Sequence, residues 1–67
     1  MGNDKKKLKK LLEHWAEHNE SHKESFEKWR VKAEEKGFGR VVTKLEKAME
    51  MLDKCNEYLL SAREDLD

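Results

Sequence analysis

The chain has 67 residues, 45% of them charged, and its 15 Lys and Arg residues balance its 15 Asp and Glu residues. This balance argues against nucleic acid or an anionic membrane as the main partner, and no apolar run approaches the roughly 20 residues that span a bilayer. A chain this short holds one domain at most, and so small a core usually needs a metal, a disulfide or a second chain.

Cysteine and glycine usage narrows the class further. Cys55 is the only cysteine, so no intrachain disulfide is possible, and a lone thiol without a secretory signal favours a reducing, cytoplasmic setting. There is no proline, the three glycines are Gly2, Gly37 and Gly39, and nearly every other residue is a good helix former. The composition therefore predicts an all-α fold, with residues 1–67 forming a single domain.

The first predicted element is a helix over residues 4–36. Apolar residues recur with the helical period from Leu8 to Ala33 without losing phase. His22 lies at the centre of this stripe, so we expect its side chain to be buried, with His18 on the flank. The stripe comprises Leu8, Leu11, Trp15, His22, Phe26, Trp29 and Ala33.

A competing interpretation breaks this helix in the middle. Asn19 and Ser21 are poor residues for a helix interior, and Ser21 and Glu24 have the spacing of a capping box. A break there would give three helices in all. The unbroken apolar phase and the lack of Gly or Pro favour one continuous helix.

The second element is a turn at residues 37–39. Gly37 suits the left-handed position that follows a helix, and Phe38 then occupies the next position of a Schellman motif. Thr43 and Glu46 also have capping-box spacing. The following helix therefore starts either near residue 40 or, on this alternative, only at Thr43.

The third element is a helix over residues 40–66 with a heptad repeat. A short turn makes the two helices antiparallel, so residues at the same level have numbers that sum to about 76. Two interleaved rows, each with a spacing of seven, predict a coiled-coil seam that contains small residues. These rows are Leu45, Leu52, Leu59 and Leu66, and Val41, Ala48, Cys55 and Ala62.

An isolated hairpin of this kind leaves apolar residues on the flanks of its seam. We expect Leu12, Val42, Met49 and Leu60 to be partly uncovered. Burying one Leu or Met side chain is worth roughly 1.5 to 3 kcal/mol, against a total stability of about 5 to 15 kcal/mol. The sequence therefore predicts a homodimer that forms a four-helix bundle; the alternative is a helix of a different protein partner.

The histidines give the chain a candidate metal site. His14, His18 and His22 are spaced four residues apart, which places successive imidazoles on one face of a helix. Cys55 belongs to the inward row and lies level with His22. We therefore expect His14, His18, His22 and Cys55 to hold a transition metal ion, Zn or Ni first among them. The alternative is a structural polar layer without metal.

Catalysis has little support in the sequence. Cys55 and His22 could pair as nucleophile and base, but nothing in the sequence indicates an oxyanion hole or a substrate cleft. Glycine motifs that cradle phosphates are also missing from the sequence. We therefore predict a protein that is not an enzyme.

Two stretches, LLEHWAEHNESHKESFEKW and KLEKAMEMLDKCNEYLLSA, resemble a small helical family of archaea and anaerobic bacteria. The first is also similar to a tail found on proteins like the nickel-binding maturation factor of carbon monoxide dehydrogenase. The resemblance covers both helices and implies a tie to metal handling, although Cys55 lies outside its motif. The matching residues are Leu11, His14, Trp15, His18, Asn19, His22, Phe26 and Trp29.

Two functions follow as expectations. The first is a small metal-binding or metal-handling helical protein that uses its histidine cluster. The second is a non-catalytic helical interaction module in which the histidines are structural.

Overall fold

The computed structural model describes residues 2–66, which form two helices, α1 (Gly2–Glu35) and α2 (Gly39–Asp65). The helices pack along their length into an antiparallel hairpin about 53 Å long. The predicted all-α hairpin is thus confirmed. α1 passes through Asn19 and Ser21 without a break, so the three-helix alternative is wrong.

The turn is the Schellman motif that the sequence predicts. Gly37 has φ +76°, in the left-handed region that favours glycine. The Phe38 N–H donates to the Ala33 carbonyl at 2.9 Å, and the Gly37 N–H donates to the Glu34 carbonyl at 3.1 Å. These bonds satisfy two carbonyls that the end of α1 would otherwise leave free.

α2 begins directly after the turn, at Gly39. The Thr43 hydroxyl donates to the Gly39 carbonyl at 3.2 Å, as a threonine inside a helix does. The alternative start at Thr43 is therefore wrong.

The packing seam on α1 follows a strict alternation of three- and four-residue steps. This spacing is that of a coiled-coil seam. Asn19 and three basic residues share the seam with apolar side chains. Its buried or half-buried members are Lys9, Leu12, Ala16, Asn19, Lys23, Phe26, Arg30 and Ala33.

The seam on α2 has the same alternation. It contains the predicted leucine row, but its second row lies three residues before each leucine rather than four. These eight residues are all buried or half-buried: Val42, Leu45, Met49, Leu52, Asn56, Leu59, Arg63 and Leu66.

Several predicted positions therefore need correction. Cys55 is exposed beside the seam, and so is Val41 of the same row. His22 is exposed, because α1 is turned so that its row borders the seam instead of filling it. The expected flank residues are corrected in position: Leu12 is buried in the seam, and Val42 and Met49 are half-buried as expected but lie within the seam, whereas Leu60 is exposed.

The register between the helices agrees with the predicted sum of 76. The Lys23 Nζ donates to Asp53 Oδ1 at 2.6 Å, and the Arg63 Nη1 donates to Glu13 Oε1 at 3.2 Å. Both bonds join residues whose numbers sum to 76. The long basic side chains thus run along the seam while their charged ends reach the carboxylates at its edge.

One side of the seam is acidic. The Arg30 guanidinium donates to both carboxylate oxygens of Glu27, at 2.7 and 2.9 Å, and to Glu34 at 3.0 Å. These hydrogen bonds lower the pKa of Glu27, and the hydrogen bond to Asp53 raises the pKa of Lys23. We call this side the acidic side; its carboxylates are Glu13, Glu20, Glu27, Glu34, Glu46 and Asp53.

Candidate functional site

The other side of the seam is apolar. On each helix, two rows with a spacing of seven border the seam there, and corresponding rows of antiparallel helices lie on the same side. We call this surface the open face. Its residues on α1 are Leu8, Trp15, His22 and Trp29, with Leu11, His18, Ser25 and Lys32 further out. On α2 they are Val41, Ala48, Cys55 and Ala62, with Lys44, Met51 and Tyr58 further out.

The open face gathers nearly all of the uncovered apolar surface. Among the described residues, every exposed large hydrophobic side chain except Val31 and Leu60 belongs to this face or, as Phe38 does, to the turn beside it. Apolar residues scattered singly over a surface are ordinary, whereas a contiguous patch indicates a binding surface. The hairpin therefore has two apolar stripes and covers only one of them.

A groove lies at the turn end of the open face. Its walls include Trp29, Ala33, Phe38, Val41 and Leu45, so side chains of both helices and the turn contribute to it. The Lys32 ammonium lies 4.4 Å from the centre of the Trp29 ring, a cation–π contact at the rim. The groove is an apolar pocket with a basic edge.

Two histidines lie in the middle of the open face. His18 Nε2 and His22 Nε2 are 2.8 Å apart, and the two rings meet edge to face with their centres 4.4 Å apart. A hydrogen bond at this distance needs one ring to donate and the other to accept, so at least one imidazole is neutral. Both side chains are exposed. The predicted i, i+4 pairing of these two histidines is therefore present.

The other two predicted ligands are not brought into this pair. The His14 ring centre lies 6.4 Å from that of His18, on the outer edge of the helix. The Cys55 Sγ accepts a long hydrogen bond from the Asn19 Nδ2 at 3.5 Å. Within residues 2–66, no three His, Cys, Asp or Glu side chains are grouped closely enough to hold a metal ion. One chain thus supplies a histidine pair and not a complete site.

Asn56 is the residue that sequence reasoning missed. Its side chain is 8% exposed, and its amide nitrogen donates to the Ala16 carbonyl at 3.2 Å and to Glu20 Oε1 at 3.4 Å. Its oxygen accepts from the Asn19 Nδ2 at 2.9 Å. The sequence feature that could have revealed Asn56 is its place in the row that lies three residues before each leucine of α2. Asn19 therefore joins the buried polar pair in the seam to the Cys55 thiol on the open face.

The comparisons with known proteins identify a family. A family model described as a domain of unknown function (DUF8180) matches residues 8–66. The match includes α2, α1 except for its first turns, and the residues that define the open face. No curated protein and no solved structure matches the chain. Neither helix, over the residues described, has the length and apolar character needed to cross a membrane.

Proposed function

This chain belongs to the family described as a domain of unknown function (DUF8180), and from the geometry of its open face we propose that it is a non-catalytic helical interaction module. The observation that carries the proposal is the concentration of exposed apolar side chains on one face. A helical apolar surface is the partner that such a face fits, because apolar side chains at helical spacing dock into grooves between helices.

The shape of the molecule supports this function. Each helix is covered by its partner on one side only, and the groove walled by Trp29, Phe38 and Val41 opens directly to the surface. On the opposite, acidic side, five of the six carboxylates form ion pairs with Lys23, Arg30 or Arg63. The open face is thus the surface that gains most from being covered, since apolar burial contributes roughly 25 cal/mol per Å².

The chain offers matched variants for a test. On the open face, Leu11 is 42% and Val41 47% exposed; away from it, Leu60 and Val31 are each 40% exposed. Changing each residue to lysine removes a similar amount of exposed apolar surface. The substitutions therefore differ mainly in the face that they alter.

The measurement is the binding of an apolar dye such as anilinonaphthalene sulfonate, together with the mass of the protein in solution. A docking face either binds the dye when free or is covered by association. We expect one of these two properties in the unaltered protein. Whichever property the unaltered protein has, dye binding or association, should be lost in Leu11→Lys and Val41→Lys and kept in Leu60→Lys and Val31→Lys. A monomer that binds no dye would contradict the proposal.

A second candidate function is binding of a transition metal ion by His18 and His22. Two imidazole nitrogens at 2.0–2.1 Å from an ion lie about 2.9 Å apart when they subtend 90°, and about 3.3 Å apart at a tetrahedral centre. The observed 2.8 Å is a hydrogen-bond contact, so an ion would replace the bridging proton, and the two nitrogens would separate by only about 0.1 Å for the square-planar geometry that Ni(II) or Cu(II) prefers or about 0.5 Å for a tetrahedral one. The resemblance to tails of nickel-handling proteins supports the same candidate.

A titration with nickel or zinc sulfate tests the second candidate. His18→Gln and His22→Gln should each abolish stoichiometric binding, because each variant leaves a single imidazole on the open face. His14→Gln is the matched control and should bind as the unaltered protein does, since the His14 ring stands apart from the pair. Binding no stronger than millimolar, or equal loss in all three variants, would exclude the pair as the site.

A further inference from the structure

Resting on the proposed interaction function, the geometry points to the partner: we propose that a second copy of this chain covers the open face. The two copies pack α1 against α1 in antiparallel directions, about a twofold axis at the level of His22. Four observations of surface area, sequence symmetry, groove shape and charge lead to this arrangement.

The first observation is the surface area. The chain has an accessible surface of 5554 Å² and a mass of 8.0 kDa. A compact monomer of this mass has about 4,450 Å², so the hairpin exposes about 1,100 Å² in excess. A stable interface of standard size covers about 800 Å² on each partner. One more copy can therefore remove most of the excess.

The second observation is the symmetry of the inner α1 row of the open face. Trp15 and Trp29 lie seven residues before and after His22. A twofold axis at His22 places Trp15 of each copy opposite Trp29 of the other, so the same contact occurs on both sides of the axis. A self-complementary contact of this kind is what twofold dimers require.

The third observation is the groove at the turn. With the axis at His22, facing residues of α1 have numbers that sum to 44, so Leu11 of the second copy lies level with Ala33. Leu8 of the second copy lies level with Lys36. Ala33 and Lys36 both line the groove. The second copy thus supplies two leucines at the level of the apolar pocket, and each copy fills the groove of the other.

The fourth observation is charge. Within the rows of the open face, Lys32 and Lys44 lie toward the turn, whereas Asp4 and Asp65 lie at the opposite end. Antiparallel packing brings the turn end of one copy against the opposite end of the other, so within these rows lysines face Asp4 and Asp65; the lysines of residues 5–10 lie in other rows of α1. A turn-to-turn arrangement would instead bring the lysines together. The formal net charge of zero means that the copies do not repel each other overall.

This arrangement has a consequence for the histidines. The axis brings the two His18–His22 pairs to the centre of the interface, so four imidazoles from two chains share one layer. A single chain provides only half of a four-ligand set. The dimer is therefore the form in which the histidine pair becomes a complete candidate metal site.

Sedimentation of the whole chain at tens of micromolar tests the second copy. We expect a species of twice the 8.0 kDa chain mass. Leu11→Lys and Val41→Lys should raise the dissociation constant about a hundredfold, since each removes an apolar contact from both copies and each contact is worth roughly tenfold. Leu60→Lys and Val31→Lys should leave the dissociation constant within about twofold.

Cross-linking tests the axis. In a Cys55→Ser background, His22→Cys should give covalent dimers with a short bismaleimide, because residue 22 faces itself across the axis. Val31→Cys, on the outer surface, should give none above background. A dimer that does not cross-link through residue 22 would overturn the arrangement.

The apolar dye separates the two proposals. The unaltered protein could be a monomer that binds the dye, with dye binding lost in Leu11→Lys and Val41→Lys. This result would rule out a second copy as the partner and would leave the proposed interaction module with a different partner. A monomer that binds no dye would overturn both proposals. A dimer that excludes the dye supports both.

Discussion

Asn56 sits in the seam among leucines, where an apolar residue would pack at lower cost. A polar residue at such a position lowers stability but fixes which residues of the two helices are opposite each other. If α2 slid by seven residues along α1, the leucine row would find similar contacts, whereas Asn56 would lose its bonds to Asn19 and Ala16. We infer that this pair sets the register of the hairpin.

The first prediction follows from that pair. Asn56→Ala should lower the free energy of unfolding by about 1 to 3 kcal/mol, because the Asn19 amide loses its shorter hydrogen bond in a partly buried position and keeps only the long one to Cys55. Urea unfolding measures the change. Asn3→Ala, at an exposed position of α1, is the control and should change stability by less than about 0.5 kcal/mol. Equal stability of Asn56→Ala and the unaltered protein would refute the role of the pair.

The second prediction concerns acid. Hydrogen bonds from Arg30 lower the pKa of Glu27 below its ordinary 4.5 in the folded chain. A depressed carboxyl pKa contributes stability that is present above the unfolded pKa and is lost as the pH falls through the folded one. At pH 6 the unaltered protein should therefore have a higher melting temperature than Glu27→Gln. The difference between the two melting temperatures should disappear as the pH falls below 4.5. A difference that is the same at pH 6 and at pH 3 would argue against this bond.

Residue identity misleads sequence reasoning at this scale. The row that contains Ala48 and Cys55 looks more like a core than the row that contains Asn56 and Arg63, yet the second row packs. Asn56 finds partners on α1, and Arg63 covers apolar surface with its stem while bonding Glu13. Hydrophobicity alone cannot anticipate either arrangement, because both depend on what the other helix presents at that level.

At the scale of elements, the turn is the feature that local sequence determines best. Gly37 and Phe38 were sufficient to predict the Schellman motif, because its hydrogen bonds and its left-handed residue lie within six consecutive positions.

The third prediction compares Gly37 in the turn with Gly39, the first residue of α2, which lie on either side of Phe38. Gly37→Ala should cost about 1 to 2 kcal/mol, because φ is +76° there. Gly39→Ala should be neutral or stabilising by up to about 1 kcal/mol, because Gly39 is helical. An added Cβ meets nothing within 4 Å at either position, so the comparison isolates backbone conformation. Thermal unfolding measures both; a similar loss in both variants would contradict the assignment.

In the two helices, the spacing of the apolar residues and the choice of the face that packs could be predicted to different extents. Period predicted a continuous α1 and a heptad α2, and both are present. Phase was predicted less well, because α1 has two neighbouring apolar stripes. One of them contains Leu12 and Phe26, and the other contains Trp15 and Trp29. Only packing against α2 selects the first stripe as the seam and leaves the second open.

At the scale of the whole molecule, the hairpin is too thin to enclose a core. Its cross-section is 14 × 11 Å, and no large side chain is fully buried in the part of the chain that the structure describes. The sequence predicted that such a chain seeks a second copy, but it placed the contact on Leu12, Val42 and Met49, which the seam already uses. The rotation of α1 moves the uncovered surface to the tryptophan and histidine rows.

The fourth prediction follows if the second copy provides the missing cover. The melting temperature should then rise with protein concentration, because association stabilises the folded state by mass action. Circular dichroism melts over a hundredfold dilution series measure this dependence. Leu11→Lys should show a clearly weaker dependence over the same series, whereas Leu60→Lys should keep the dependence of the unaltered protein. A melting temperature of the unaltered protein that ignores concentration would contradict a dimer.

The placement of Trp15 and Trp29, the chain's two tryptophans, has a spectroscopic consequence. Neither ring lies in the seam, so ultraviolet fluorescence reports the open face, whereas far-ultraviolet circular dichroism reports the helices. Covering the open face should shift the emission to shorter wavelengths without any change in helix content. The protein therefore contains its own optical probe, which distinguishes docking from folding without an added label.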